Sequence, residues 1–332
     1  MIFIIKKGQP DMKKHIYVSA CSPDGGIYHY IQNGDGSLDL KNILKLDRPM
    51  YHIIKDDRMH ILLREPFENS KDSGLIKFKI EKDGTLSSPS PILSSRGVVA
   101  CHLCSSGGSD YCVNYVSGSV LKFPDKLVTH FGDGPNKPRQ DKAHAHFVGE
   151  SPDGKYIFVC DLGLDTVFVY DKNLNEISRA KVPAGHGARH IVCSEDGKTV
   201  FVANELASTV SAFDYSDGHL SLVCTESGLP SSFTGNNTMA AIRIREGLIY
   251  ASNRGHNSIS CFSYENRRLS LVSVTNVGGE GPRDFDFIGD YVYVTNEQTN
   301  NITVLRNENG KLVLLPFAYS APDPLCVCSA EF

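Results

Sequence analysis

A chain of 332 residues with 34 Lys and Arg against 38 Asp and Glu carries a formal net charge of −4, which excludes binding driven by bulk positive charge and with it a nucleic-acid partner of that kind. A hydrophobic fraction of 41% is enough for a packed core. No apolar run reaches the roughly 18–20 residues that cross a bilayer as a helix, so no membrane partner is expected.

The chain opens on Met1-Ile2-Phe3-Ile4-Ile5, ended at once by Lys6, Lys7 and Pro10. A secretory signal needs its charge before the apolar stretch and a small-residue cleavage site after it. The opening therefore reads as an added edge strand or a ragged terminus, and the chain as cytoplasmic. The ten cysteines, several inside strand patterns, read as reduced, small, buried side chains. Cys101-His102-Leu103-Cys104 has half the spacing of a zinc site, but no second pair follows, and no metal is assigned to it.

From Tyr17 onward one short phrase recurs, a strand of alternating apolar residues that closes on a small polar pair. Its copies begin at Tyr17, Ile61, Tyr111, Phe158, Phe201, Tyr250 and Tyr293, spaced 43 to 50 residues apart. The clearest is Phe201-Val202-Ala203-Asn204-Glu205. The weakest are Tyr17-Val18-Ser19-Ala20-Cys21 and Ile61-Leu62-Leu63-Arg64-Glu65, with Ala20 and Arg64 where Asn or Asp is expected. A period of roughly 40–50 residues built only from strands is the signature of a propeller blade. Seven copies predict an all-β, seven-bladed β-propeller, one domain over residues 1–332.

Turn signals punctuate the copies: Asn33-Gly34-Asp35-Gly36, Lys82-Asp83-Gly84, Ser151-Pro152-Asp153-Gly154, Glu195-Asp196-Gly197 and Asn309-Gly310. One blade can be laid out whole: a strand ending near Ser194, then Val200 to Asn204, Ser208 to Tyr215 and His219 to Cys224. Four antiparallel strands per blade follow. The chain starts in a second-strand copy and ends on Pro324-Leu325-Cys326-Val327-Cys328, which reads as an unpartnered first strand. The last strand should complete the first blade and close the ring, removing two exposed sheet edges.

Alignment on the hairpin turns brings out a candidate site. His146, Arg189 and Arg283 each lie seven residues before the turn aspartates Asp153, Asp196 and Asp290. Three titratable or cationic groups in one register of the innermost strand point to one channel mouth. Just after the second strands, Cys21, Glu65, Tyr115, Leu162, Glu205, Arg254 and Glu297 should form a second ring round the same opening. The competing reading is that these are blade-to-blade ion pairs. His144 and His146, two apart, share a sheet face if the strand is regular there, but no third ligand of comparable clarity accompanies them. Gly185-His186-Gly187 and Gly278-Gly279-Glu280-Gly281 read as inter-blade loops, since no helix follows either.

Several pieces in order resemble the seven-bladed propeller lactonase family, whose named activity is 6-phosphogluconolactonase. They are Gly134-Pro135-Asn136 with Arg139-Gln140, Ala143-His144-Ala145-His146, Asp161-Leu162-Gly163, Ala188-Arg189-His190, Asn204-Glu205-Leu206, Asn253-Arg254-Gly255-His256 and Pro282-Arg283-Asp284-Phe285. The family also holds propeller-type carboxymuconate lactonising enzymes, whose His, Arg, Glu, Arg pattern looks matched by His146, Arg189, Glu205 and Arg254. The resemblance implies a hydrolase that opens a phosphorylated or acidic sugar lactone. It makes His146, Glu205, Arg189 and Arg254 catalytic candidates, and Arg283, His144, His190, Asn204 and Glu297 substrate-binding candidates. The proton-transfer role is open between His146 and Glu205. The expected partner is a small anionic lactone, without cofactor or metal, in a monomer or weak homo-oligomer. The alternatives are a non-catalytic binding or scaffold propeller and a lactonising enzyme.

Overall fold

The computed structural model describes residues 13–331; Met1 to Ile5 lie outside the described residues. Seven antiparallel sheets follow one another along the chain. Blade 1 holds Lys14–Ala20, Gly26–Gln32 and Leu38–Lys45, and its innermost strand is Pro324–Glu331 from the far end of the chain. Tyr17 pairs with Cys328, Val18 with Val327 and Ser19 with Cys326, which is the expected closure. Blade 5 runs Ala188–Cys193, Thr199–Asn204, Thr209–Ser216 and His219–Ser227, close to the four strands laid out from sequence. The first strands of neighbouring blades touch one another round the whole ring and so line the central channel.

Blade 2 departs from the four-strand plan. Its fourth strand shrinks to Leu86–Ser87, and Leu93–Val98 pairs beside it on the same third strand. Pro89 and Pro91 intervene. Neither has an N–H for the ladder, so a continuous outer strand is broken there.

The second strands are buried along nearly their whole length because each serves two seams. Successive side chains of a strand face opposite sides. Ile16 and Val18 therefore pack against Tyr293, Ile302 and Val304 of blade 7, while Tyr17 packs against Met59, Ile61 and Ile76 of blade 2. The same arrangement repeats at every seam: Phe158, Val167 and Val169 of blade 4 meet Ile191, Val200 and Val202 of blade 5. Each such side chain contributes about 1.5–3 kcal/mol on burial.

The polar residue that closes the repeated phrase holds the tight turn into the third strand. Asn204 donates to Thr209 Oγ1 at 3.0 Å and Ser211 Oγ at 2.8 Å. Asn253 reaches Ser260 Oγ at 2.7 Å, and Asn296 reaches Thr303 Oγ1 at 2.9 Å. In each case the side-chain amide nitrogen ties the closing residue to the third strand, and Asn253 also reaches Gly228 O at 3.4 Å. Turns at the other channel end behave as their sequences predict: Gly154 donates to Ser151 O at 2.9 Å with φ +70° and Gly197 to Ser194 O at 2.9 Å with φ +68°, a conformation that glycine adopts without strain.

Candidate functional site

One irregularity, repeated in every blade, builds the site. Where the first strand meets the closing polar residue of the second, the ladder skips. Ala145 pairs with Asp161 and Phe147 with Cys160, leaving His146 unpaired. Ala188 pairs with Asn204 and His190 with Ala203, leaving Arg189. Pro282 and Asp284 leave Arg283. The same skip leaves Leu325, Met50 and Cys101 in blades 1 to 3, and in blade 6 it falls on Ala240 and Ala241. A β-bulge places two residues opposite one and re-aims a side chain. Here it re-aims the skipped residue in most of the blades.

Five of these bulge residues, Met50, Cys101, His146, Arg283 and Leu325, line a cavity of about 360 Å³. Residues just after the second strands complete its wall: Arg64, Tyr115, Glu205, Arg254 and Glu297, joined by Arg139, Val99, Val116 and Asp323. A smaller space of about 20 Å³ lies one residue further along the strands, between His146, Arg189, His190 and Arg283. That is room for a single water.

Glu205 is the hub. It is 3% exposed and receives three guanidinium groups: Arg139 Nη2 at 2.6 Å, Arg189 Nε at 2.9 Å and Arg254 Nη2 at 3.0 Å. Burial opposes its ionisation, but the charges of Arg254, Arg189 and Arg139 outweigh burial and hold the carboxyl far below the usual range. Arg189 is itself almost sealed. Burial, and then the like charge of Arg254, pull its guanidinium down to about 10. Arg283 is tied separately, with Nη1 3.1 Å from Glu297 Oε2.

His146 faces the same cavity in the opposite state. Burial first, and the Arg189 charge second, push its pKa well below that of a free imidazole, so the ring is neutral. Its Nδ1 is buried with no hydrogen-bond partner among the described residues. The ring is held edge-on by Tyr115 and His190, with centroids 5.5 and 5.3 Å away. His190 Nε2 lies 3.1 Å from Arg189 Nη1, and His190 is likewise held neutral, by burial and then by Arg189.

The expected convergence of His146, Arg189, Glu205, Arg254 and Arg283 is therefore present at one channel end, with Glu297 on its rim and His190 below. Two other candidates lie elsewhere. Asn204 is wholly buried inside blade 5, where it holds its turn. His144 stacks behind Tyr115, with centroids 4.5 Å apart, and its ring nitrogens meet Tyr115 O and Asp141 Oδ1 at 3.0 and 2.9 Å. The shared-face argument fails because the strand begins at Ala145 and bulges at His146. Among the described residues no three His, Cys, Asp or Glu side chains are grouped to hold a metal ion, and all ten cysteines are free thiols.

The second ring also needs one correction. In blade 2, Leu63 and not Arg64 pairs with Pro49, so Leu63 occupies the closing position and Arg64 stands where Glu205 stands in blade 5. Glu65 instead pairs with Arg48 at 3.2 Å and does not line the cavity. Leu162 is buried beneath the 130–144 segment. Gln140 anchors that segment by donating to Leu162 O at 2.8 Å and Asp165 Oδ1 at 2.7 Å, which presents its neighbour Arg139 to Glu205. No strand register reaches Arg139, so only the quoted Arg139-Gln140 pair marked it.

The family profile described as "Lactonase, 7-bladed beta-propeller" matches residues 15–329. An uncharacterised protein of Staphylococcus saprophyticus is 31% identical over 282 residues, covering 77% of this chain and 81% of its own. Among solved structures, a Lactobacillus plantarum protein is similar with TM-score 0.88 and 27% identity, covering 96% of this chain and all (100%) of its own. A proposed 6-phosphogluconolactonase from Bacteroides fragilis is similar with TM-score 0.87 and 25% identity, covering 98% and 100%.

Proposed function

The chain belongs to the seven-bladed β-propeller lactonase family, and from that premise we propose that it opens an anionic sugar lactone by hydrolysis, in the manner of a 6-phosphogluconolactonase. The supporting observation is the pairing of a neutral, unpartnered His146 with guanidinium groups locked in place by Glu205 in one cavity. The solved similarity to the Bacteroides fragilis protein supports the same substrate class.

In this reading the lactone carbonyl lies against the fixed guanidinium of Arg254 with Arg283 bordering the same cavity, and Arg189 faces the small space beside His146 that has room for a water. His146 accepts a proton from a water as the water oxygen attacks the carbonyl carbon. The carbonyl electron pair moves onto oxygen, and the preorganised arginines stabilise that oxyanion at no reorganisation cost. Collapse breaks the bond to the ring oxygen, which leaves as an alcohol with the proton returned from His146. The products are a carboxylate, a hydroxyl and one released proton.

Glu205 is ill suited to be the base, since guanidiniums occupy both of its oxygens, whereas His146 Nδ1 has no partner among the described residues. Its role is to hold three like charges together. Hydrolysis of a panel of phosphorylated and unphosphorylated sugar lactones, corrected for spontaneous opening, tests the proposal. Opening well above background, abolished with His146, is the expected outcome. No opening of any lactone leaves a binding propeller.

A further inference from the structure

The mouth holds one guanidinium that no carboxylate engages. Arg139, Arg189 and Arg254 are spent on Glu205, and Arg283 on Glu297. Arg64 lines the same cavity, and no hydrogen bond or ion pair of its side chain occurs among the described residues. Its backbone is fixed: Arg64 N donates to Arg48 O at 3.1 Å, and Ser73 Oγ donates to Arg64 O at 2.7 Å. The side chain is exposed at the opening.

Its place in the ring is informative. Arg64 occupies in blade 2 the position that Glu205 occupies in blade 5. In a ring of seven, blade 2 stands across the channel from blades 5 and 6, which carry Glu205 and Arg254. Beside Arg64 the wall has an apolar part, made by the bulge residues Met50 and Leu325 with Val99. Asp323, on the same rim, makes no ion pair with Arg64.

We propose that Arg64 is the specificity-determining residue of this mouth: it seats a second anionic group of the substrate, a phosphate or carboxylate, remote from the reacting carbonyl. The inference rests on the lactone-opening reading for the identity of the substrate. A planar fork on an exposed stem, with no internal partner to give up, can bind such a group bidentately. The arginines around Glu205 cannot do so without abandoning a buried carboxylate, which is costly. The division of labour is therefore one fixed set of charges for the carbonyl and one free charge for the tail.

The test reads binding apart from turnover. Wild type and Arg64→Gln are titrated calorimetrically with gluconate, 6-phosphogluconate and glucarate, and lactone opening is measured in parallel. Wild type should bind 6-phosphogluconate or glucarate, each of which carries a second anionic group, more tightly than gluconate; which of the two it prefers tells phosphate from carboxylate. In Arg64→Gln that preference should fall by roughly tenfold to a hundredfold, the range for losing a hydrogen bond to a charged group. Arg64→Lys should restore part of it, charge without the fork. A preference near one in wild type, or one unchanged in Arg64→Gln, overturns the inference even if lactones are opened. A preference that disappears with Arg64 while no lactone is opened keeps the anion seat and overturns the lactonase reading.

Discussion

Arg189 Nε lies 2.9 Å from Glu205 Oε2, with both side chains almost sealed from solvent. The two sit side by side in blade 5, one ejected by the bulge of the first strand and the other just past the end of the second. The pair forms the inner half of a cluster in which one carboxylate holds three arginines. The inner members are rigid because neither Arg189 nor Arg254 can leave without stranding the Glu205 charge against a low-dielectric wall, while Arg139, 43% exposed, covers the pair from solvent. That rigidity is what a transition-state site needs of its dipoles and charges.

Replacing Glu205 with Gln should therefore damage stability as well as activity. Three guanidiniums would be left facing one another without a counter-charge, a loss of about 3–5 kcal/mol when one member of a buried pair is removed. Urea unfolding followed by circular dichroism measures it. A midpoint equal to wild type, with activity lost, would return Glu205 to the role of general base.

His146→Gln should show the opposite pattern. The ring makes no buried hydrogen bond through Nδ1, so the fold should hold while lactone opening falls by at least ~10²-fold, the usual contribution of a general base. In wild type the base is held neutral far below the ordinary imidazole range by burial and by Arg189. Its active form persists as pH falls, so kcat/KM should show no inflection near pH 6.5. An inflection there, lost in His146→Gln, would mean the ring is not held as described.

Acid should destabilise the ring through other histidines of the inner strands. Burial holds His52 down to about 4 and His102 down to about 3, against 6.5 in a free chain. The unfolded chain takes up these protons first. Stability is thus complete above pH 6.5 and lost as pH falls from 6.5 toward 4 and 3. Each contributes a loss of about 2 kcal/mol by pH 5. Thermal unfolding between pH 7 and 5 reads this. His102→Phe, still stacked between Tyr51 and Phe147, should flatten the dependence.

Much of this was legible in the residues themselves. The recurrence of the Tyr293-to-Glu297 phrase carries the blades, because a second strand must bury both faces and then satisfy a turn. The turn-to-channel spacing found His146, Arg189 and Arg283, because equal spacing from equal turns survives a bulge that every blade shares. The bulge itself was not legible. It depends on pairing between strands, and for that reason His144 was expected beside His146 and lies behind Tyr115. In blade 2 the closing position falls at Leu63, one residue before the place the phrase suggests, since Leu63 gives no polar mark of it. Asn204 lay within a matching motif but serves its own turn. Arg139 reaches the site from a segment anchored by Gln140, where no periodicity can place it.

The pairing of Tyr17 with Cys328 also sets an order on the life of the chain. Blade 1 lacks its inner strand until Pro324–Glu331 has been made, some three hundred residues after Lys14–Ala20. At ~5–20 residues per second that interval is on the order of tens of seconds, during which the Lys14–Ala20 edge has no partner from its own blade. Six blades can assemble in sequence behind it, each on the face of the one before. The last seam then waits for Pro324–Glu331, so any chain that stops short of this strand leaves the inner edge of blade 1 open.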